Sequence, residues 1–278
     1  ESDGSTSVDE SGTTDTFTVV LDAEPASDVV ISISSDDTGE ATVTSTLTFT
    51  SANWDTPQTA TVTGADDFIL DGNQSSTVTI TVVDSISDND FSGVADQTVS
   101  ATTTDDDVAG FTIVESDGST SVNESGTTDT FTVVLDAEPT SDVVLTISSD
   151  DTGEATVNSP LTFTSANWDT PQTITVTGVD DDLIDGDIVS TVTVVVDDAN
   201  SDDDFDAVAD QTVSVTTTDD DVAGFTIVET DGSTEVAESG STDTFTVVLD
   251  AQPASDVVLT ITSDDTGEAT VNSPLTFT

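Results

Sequence analysis

The residues with the greatest capacity for chemistry are carboxylates set side by side. Thr102 to Ser116 reads TTTDDDVAGFTIVES, and Thr216 to Thr230 repeats it with Thr in the last place. Each copy closes a β-rich run on three successive aspartates, Asp105, Asp106 and Asp107 or Asp219, Asp220 and Asp221. It then turns through Val-Ala-Gly and opens a run that ends on Glu115 or Glu229. Unit charges about 4 Å apart repel by about 1 kcal/mol in water and by more near a protein surface. The 278 residues include no Lys, Arg or His, so no side chain can neutralise the triplet. Protonation, solvation or a bound cation remain. For carboxylate and carbonyl oxygens at neutral pH, calcium is the matching cation.

Acids gather at two further places in each repeat. One is the glutamate at the start of the pattern, Glu1, Glu115 and Glu229. The other is a loop reading ADDFILDGN from Ala65 to Asn73 and VDDDLIDGD from Val179 to Asp187. In an antiparallel sandwich, the end of a leading strand, an inter-strand loop and the end of the last strand can converge at one pole. Calcium takes six to eight oxygens, which five or six carboxylates plus loop carbonyls can supply. The competing reading is a solvated acidic surface, and it is the one assigned to the pairs Asp36-Asp37, Asp150-Asp151 and Asp264-Asp265.

Composition narrows the function classes. The formal charge is −58, which rules out side-chain cations binding nucleic acid and opposes attachment to anionic lipid. Apolar residues make up 33% of the chain and fall in period-2 runs, so the acidity decorates folded β-structure rather than a disordered tail. No Cys is present, which removes disulfides and thiolate metal sites. No run approaches the roughly 18 apolar residues of a membrane helix.

The elements that position these acids come in repeats. ESDGSTS at Glu1 recurs at Glu115 and, as ETDGSTE, at Glu229, a period of 114 residues. The expected units are 1–109, 110–223 and 224–278, the first without its leading strand and the last partial, as in a stretch of a longer array. In the second unit seven or eight strands are predicted, from GFTIVE, DTFTVVLD, DVVLTIS, EATV, LTFT, QTITVTG, STVTVVVD and QTVSVTTT. Alternation turns Phe131, Val133 and Leu135 to one side, and likewise Val143, Leu145 and Ile147. An all-β tandem array of antiparallel sandwiches follows. Trp54 and Trp168, in the repeated SANWDTPQ, read as plugs at the sandwich end rather than as sugar platforms.

DDDLIDGD followed about thirty residues later by TTTDDDVAG and FTIVE resembles the Calx-beta domain, a calcium-binding sandwich of exchanger regulatory regions and large bacterial surface proteins. The resemblance implies ligands Glu115, Asp180, Asp181, Asp185, Asp219, Asp220 and Asp221 in the second repeat, with the Leu183 carbonyl. It implies Glu1, Asp66, Asp67, Asp71, Asp105, Asp106 and Asp107 in the first, and Glu229 opening the third. Where the family loop ends in a further glutamate, this chain has Gln74 and Ile188. The first repeat also has Phe68 and Asn73 for Asp182 and Asp187, so its site is expected to be the weaker.

An EF-hand is disfavoured for DDANSDDDF, which lacks that loop's central Gly and closing Glu. Without His, Cys, Lys, Arg or Tyr, the common nucleophile and base pairs are missing, so no enzyme is expected. The expected role is structural: an extracellular, calcium-stiffened repeat array serving as adhesin stalk or filament. Its partners are neighbouring repeats and further copies of itself. A calcium- or Trp-dependent glycan-binding module is the alternative.

Overall fold

A computed structural model describes residues 4–278. The first repeat runs through β1 (Thr6–Asp9), β2 (Thr14–Val19), β3 (Val29–Ser35), β4 (Ala41–Val43), β5 (Thr46–Phe49), β6 (Gln58–Gly64), β7 (Gln74–Val82) and β8 (Gln97–Thr104). The second holds β9 (Phe111–Glu115), β10 (Thr120–Asn123), β11 (Thr128–Leu135), β12 (Val143–Ser149), β13 (Ala155–Val157), β14 (Leu161–Phe163), β15 (Gln172–Gly178), β16 (Ile188–Val196) and β17 (Gln211–Thr218). In the third are β18 (Phe225–Glu229), β19 (Phe245–Leu249), β20 (Val257–Leu259) and β21 (Leu275–Phe277). Thr and Val dominate these strands because β-branched side chains pack on a pleated, half-buried surface. No described helix is long and apolar enough to cross a membrane.

Two sheets make the second repeat, β10-β17-β16-β12-β14 and β13-β15-β11-β9. The first repeats the plan with β1-β8-β7-β3-β5 and β2-β6-β4. Inward residues of both sheets form a single core in the second repeat, in which Phe131, Val133, Leu135, Val143, Leu145 and Ile147 are buried as their alternation predicts. Trp168 packs on the rim of that core and Trp54 on the rim of the first, as plugs.

Nine strands form in the second repeat where seven or eight are predicted. The addition is β10, whose four residues lie parallel to the end of β17, with Thr120 opposite Val215 and Asn123 opposite Thr218. After β9 the chain therefore leaves one sheet, crosses over the core edge and joins the other. Its counterpart β1 runs parallel to β8 in the same register. The antiparallel sandwich thus carries one parallel pair in each of the first two repeats.

At the end of β10 the backbone passes very close to β15. A Cβ on Gly178 would lie 2.0 Å from the Asn123 carbonyl oxygen, so the glycine closing QTITVTG is a condition of the crossing. The opposite pole is latched by aspartate as a hydrogen-bond acceptor. The Asp202 carboxylate accepts from Ser141 N (2.7 Å), Thr140 Oγ1 (2.8 Å) and Asp204 N (3.2 Å), and Asp88 accepts from Ala26 N and Ser27 N in the first repeat. Burial opposes ionisation of Asp202, but these three donors outweigh it and hold its pKa below the usual carboxylate value.

Gly178→Ala is expected to destabilise the second repeat by about 1–3 kcal/mol, the range for forced overpacking. Chemical unfolding of the variant against the parent chain measures it.

Candidate metal centre

Four segments of each of the first two repeats meet where β10 and β17, or β1 and β8, end together. Glu124 extends β10 by one residue, its N–H donating to the Thr218 carbonyl (3.2 Å), which sets it beside Asp219. Glu10 does the same after β1 against Thr104. The terminal triplet folds back on itself, with Asp221 N donating to Asp219 Oδ1 (2.8 Å) and Asp107 N to Asp105 Oδ1 (2.8 Å). The acidic loop is tied to the triplet, because Gly186 N donates to Asp219 Oδ2 (2.8 Å) and Gly72 N to Asp105 Oδ2 (2.7 Å). The turn before β13 joins through the Glu154 carbonyl, which accepts from Val179 N (2.8 Å), and the Glu40 carbonyl likewise accepts from Ala65 N (2.8 Å).

Carboxylate oxygens of Glu10, Asp105 and Asp107 lie within 4.8 Å of one another, as do those of Glu10, Glu40 and Asp71. In the second repeat Glu124, Asp219 and Asp221 are the counterpart of the first group, and Glu154 and Asp185 group with Asp181, the counterpart of Asp67, in place of the strand-end glutamate. Glu10 and Glu124 are each only 1% exposed. Both side-chain oxygens of Glu10, and one each of Glu40, Glu154, Asp107 and Asp221, are buried with no hydrogen-bond partner. A buried, unpaired carboxylate is costly as an anion. Burial first, then the charges of Asp105, Asp67 and Glu40, push the Glu10 pKa up to about 7. Burial also raises Glu40, Glu124 and Glu154, with Asp71, Asp219 and Asp185 respectively the leading charges. Asp107 and Asp221 are raised by burial first and then by neighbouring aspartates.

The predicted ligand positions separate cleanly. Asp71, Asp105, Asp107, Asp181, Asp185, Asp219 and Asp221 converge in the groups above. Asp67 stands beside them and bends its own loop, its Oδ1 accepting from Ile69 N (2.8 Å). Asp66, Asp106, Asp180 and Asp220 point to solvent and belong to none of these groups. Leu183 N donates to Asp181 Oδ1 (2.7 Å), which places the Leu183 backbone inside the loop. Glu1 lies outside the described residues.

Glu115 stands apart from these groups. It ends β9 opposite Phe131, three residues short of the Thr128–Thr177 pair that borders the pole. Glu229 takes the same place opposite Phe245 and is exposed. The strand they close must cross to the other sheet before the chain reaches the pole, so the glutamate after the crossing arrives there instead. Glu10, Glu40, Glu124 and Glu154 were missed by the sequence reading. Glu124 had a signal in SVNESG, where alternating Val and Ser precede a turn at Gly126 with φ 84°.

Each acidic loop also engages the following repeat. Glu138 N donates to the Phe68 carbonyl (2.6 Å) and Leu70 N to the Glu138 carbonyl (3.0 Å), a parallel bridge between Ile69 and Glu138. At the next junction Leu183 bridges Gln252, with Gln252 N on the Asp182 carbonyl (2.6 Å). Leu70 packs against the core of the second repeat, and the Phe68 ring meets Trp168 at 5.8 Å and 41°.

No protein-family model matches the chain, and no curated protein matches it. Solved structures similar to it include the calcium binding domain CBD12 of CALX1.1, at TM-score 0.31 and 13% identity over 70% of this chain and 78% of that one. Domains 4 and 5 of the S-layer protein SbsC match at TM-score 0.30 and 17% identity over 68% and 70%. The apo form of the Calx CBD1 domain matches at TM-score 0.30 and 15% identity over 40% of this chain and 98% of that one.

The raised glutamates set a sign for pH dependence without metal. A carboxyl whose pKa is higher folded than unfolded contributes stability below the unfolded value, and loses it as pH rises through the folded one. For Glu10 that window runs from 4.5 to about 7. In chelator, the melting temperature is expected to fall across this window, and Glu10→Gln to remove part of the fall, measured by calorimetry at stepped pH.

Proposed function

We propose that the chain forms a calcium-stiffened array of β-sandwich repeats, working outside the cell as the stalk of a bacterial adhesin or as an extracellular filament. The observation that carries this reading is the pair Glu10 and Glu124, buried carboxylates lacking a cationic partner in a chain that has no cationic side chain. The donor set is all carboxylate with backbone carbonyls at hand, which suits a hard divalent ion. Glu10, Glu40, Asp71, Asp105 and Asp107 would hold it in the first repeat, and Glu124, Glu154, Asp181, Asp185, Asp219 and Asp221 in the second. The Calx-beta-like spacing of the loop and triplet supports the same ion.

The ion's contribution is charge neutralisation at a place where the fold holds acids together. The chain's contribution is position. The triplet directly precedes the three-residue Val-Ala-Gly link, and the loop is bridged to the next repeat. Holding both ends of this arrangement at one point restrains the angle between repeats. Binding to the folded pole alone stabilises it by about 2.7 kcal/mol per site at a hundred times the dissociation constant. Extracellular modules bind calcium at about 10⁻⁴ to 10⁻³ M, which fits this setting. We assign the chain no catalytic step. The glycan-binding alternative has less support, since Trp168 is taken up by the core rim and by Phe68.

Calcium is expected to raise the melting temperature and to lengthen the particle in small-angle scattering, with magnesium at matched ionic strength doing neither. Equal responses to the two ions, no larger than salt screening gives, would sink the reading. Glu124→Gln is expected to weaken calcium binding about tenfold or more in titration calorimetry, whereas Glu115→Gln leaves it unchanged. The reverse order would return the site to the strand glutamate.

A further inference from the structure

The junction between the first two repeats holds an open cavity of about 500 Å³ whose walls come from both. The first repeat contributes Asp71, Asp105 and Asp107 from its acidic pole, and the second contributes Asp204. No other polar side chain among the described residues lines it, and Leu70, Ala109 and Val208 form an apolar floor that rests on the second core. Asp204 sits in a single 3₁₀ turn, Asp203–Phe205, anchored by Phe205 in that core. The Asp202 latch fixes where this turn stands. Asp202 accepts from Thr140 and Ser141, just after the Glu138-Pro139 turn, and from Asp204 N. One carboxylate thereby ties the turn that is bridged to Leu70 to the turn that carries Asp204. Leu70 directly precedes Asp71, so the circuit runs from the first pole through bridge and latch and returns to the cavity that the pole lines.

We infer that Asp204 is a ligand lent by the second repeat to the cation of the first pole, acting through water across this cavity. The inference rests on the calcium reading of that pole and adds to it a residue from another repeat. On its own side the pole is already committed to a cation, since Glu10, grouped with Asp105 and Asp107, is 1% exposed and neither of its oxygens has a partner. Its two groups share Glu10 and so offer five carboxylates, against six in the second repeat. Calcium takes six to eight oxygens and accepts water among them. Water on the cavity side of the ion shares its space with Asp204, and a bridging water is nearly as favourable as direct contact. Asp203, the adjacent acid, does not line the cavity. Affinity at the first pole then depends on the second repeat being seated, and by reciprocity the ion holds that repeat in place. Asp90 occupies the matching position in the first repeat, its N–H on Asp88 Oδ1 (3.0 Å), so the turn belongs to the repeat and not to one junction.

The test uses the whole chain carrying Glu124→Gln, which weakens the second pole and leaves the first to be read by calcium titration calorimetry. In that background Asp204→Asn is expected to weaken calcium binding roughly three- to tenfold, the scale of one unit charge several ångströms from a divalent ion in a wet cleft. Asp203→Asn removes the same charge one residue away and is expected to leave binding close to the parent value. Neither should lower the melting temperature in chelator, because Asn at 204 keeps the N–H that Asp202 accepts. Thr98→Cys and Thr173→Cys, both exposed, give one dye site in each of the first two repeats of a cysteine-free chain. Energy transfer between the dyes is expected to show calcium narrowing the spread of their separations, and Asp204→Asn undoing most of that narrowing even at saturating calcium. Equal effects of Asp204→Asn and Asp203→Asn on binding, whether both absent or both present, would overturn the inference and leave calcium at the first pole standing. A drop in the chelator melting temperature confined to Asp204→Asn would also overturn it, by assigning the residue to the latch alone. A chain that binds no calcium at all would overturn it together with the reading beneath it.

Discussion

Desolvated negative charge in a chain that carries no positive charge is the constraint on which the architecture turns. Ordinary buried carboxylates are tolerated because an arginine, a lysine or several N–H groups face them. The contrast within each repeat makes this plain. At one pole Asp202 is ringed by three donors and stays acidic. At the other, Glu10 is equally enclosed, its two oxygens have no donor, and its affinity for a proton rises. The second arrangement persists because its members cannot move apart. Glu124 is fixed by the ladder to β17, the triplet by its own backbone turn and the loop by Gly186 on Asp219. The stability of two hydrophobic cores is spent on keeping acids close.

Much of the sandwich was legible in the sequence, since strands of Val, Thr and Phe with turn clusters every few residues leave little choice of period. The side chains predicted to face inward from β11 and β12 are those that are buried. What remained hidden was set by pairing between distant segments. Thr120–Asn123 is too short to stand out as a strand, and its parallel partner lies almost a hundred residues away, so nothing local marks Glu124 as a pole residue. Glu40 and Glu154 sat inside DDTGE, a motif with an evident turn function. Asp37 and Asp151 do serve that turn, accepting from Gly39 N and Gly153 N (3.0 Å each), and the glutamate next in line enters the cluster. Residue type and spacing therefore located the pole, and only the strand crossing could say which glutamate reached it.

The junctions show why the repeat in sequence and the unit in space differ. A boundary drawn at Val-Ala-Gly assigns Leu70 to the first repeat, yet its side chain rests on the core of the second. The loop thus has two sets of obligations, with carboxylates turned back to its own pole and backbone turned forward to the next turn.

The same bridge occurs at Ile69–Glu138 and at Leu183–Gln252, displaced by the sequence period. Each repeat offers a loop on one side and a turn on the other, so the contact is head-to-tail and never mates with itself. The junction is for that reason polar: one partner presents an acidic loop and the other a proline turn.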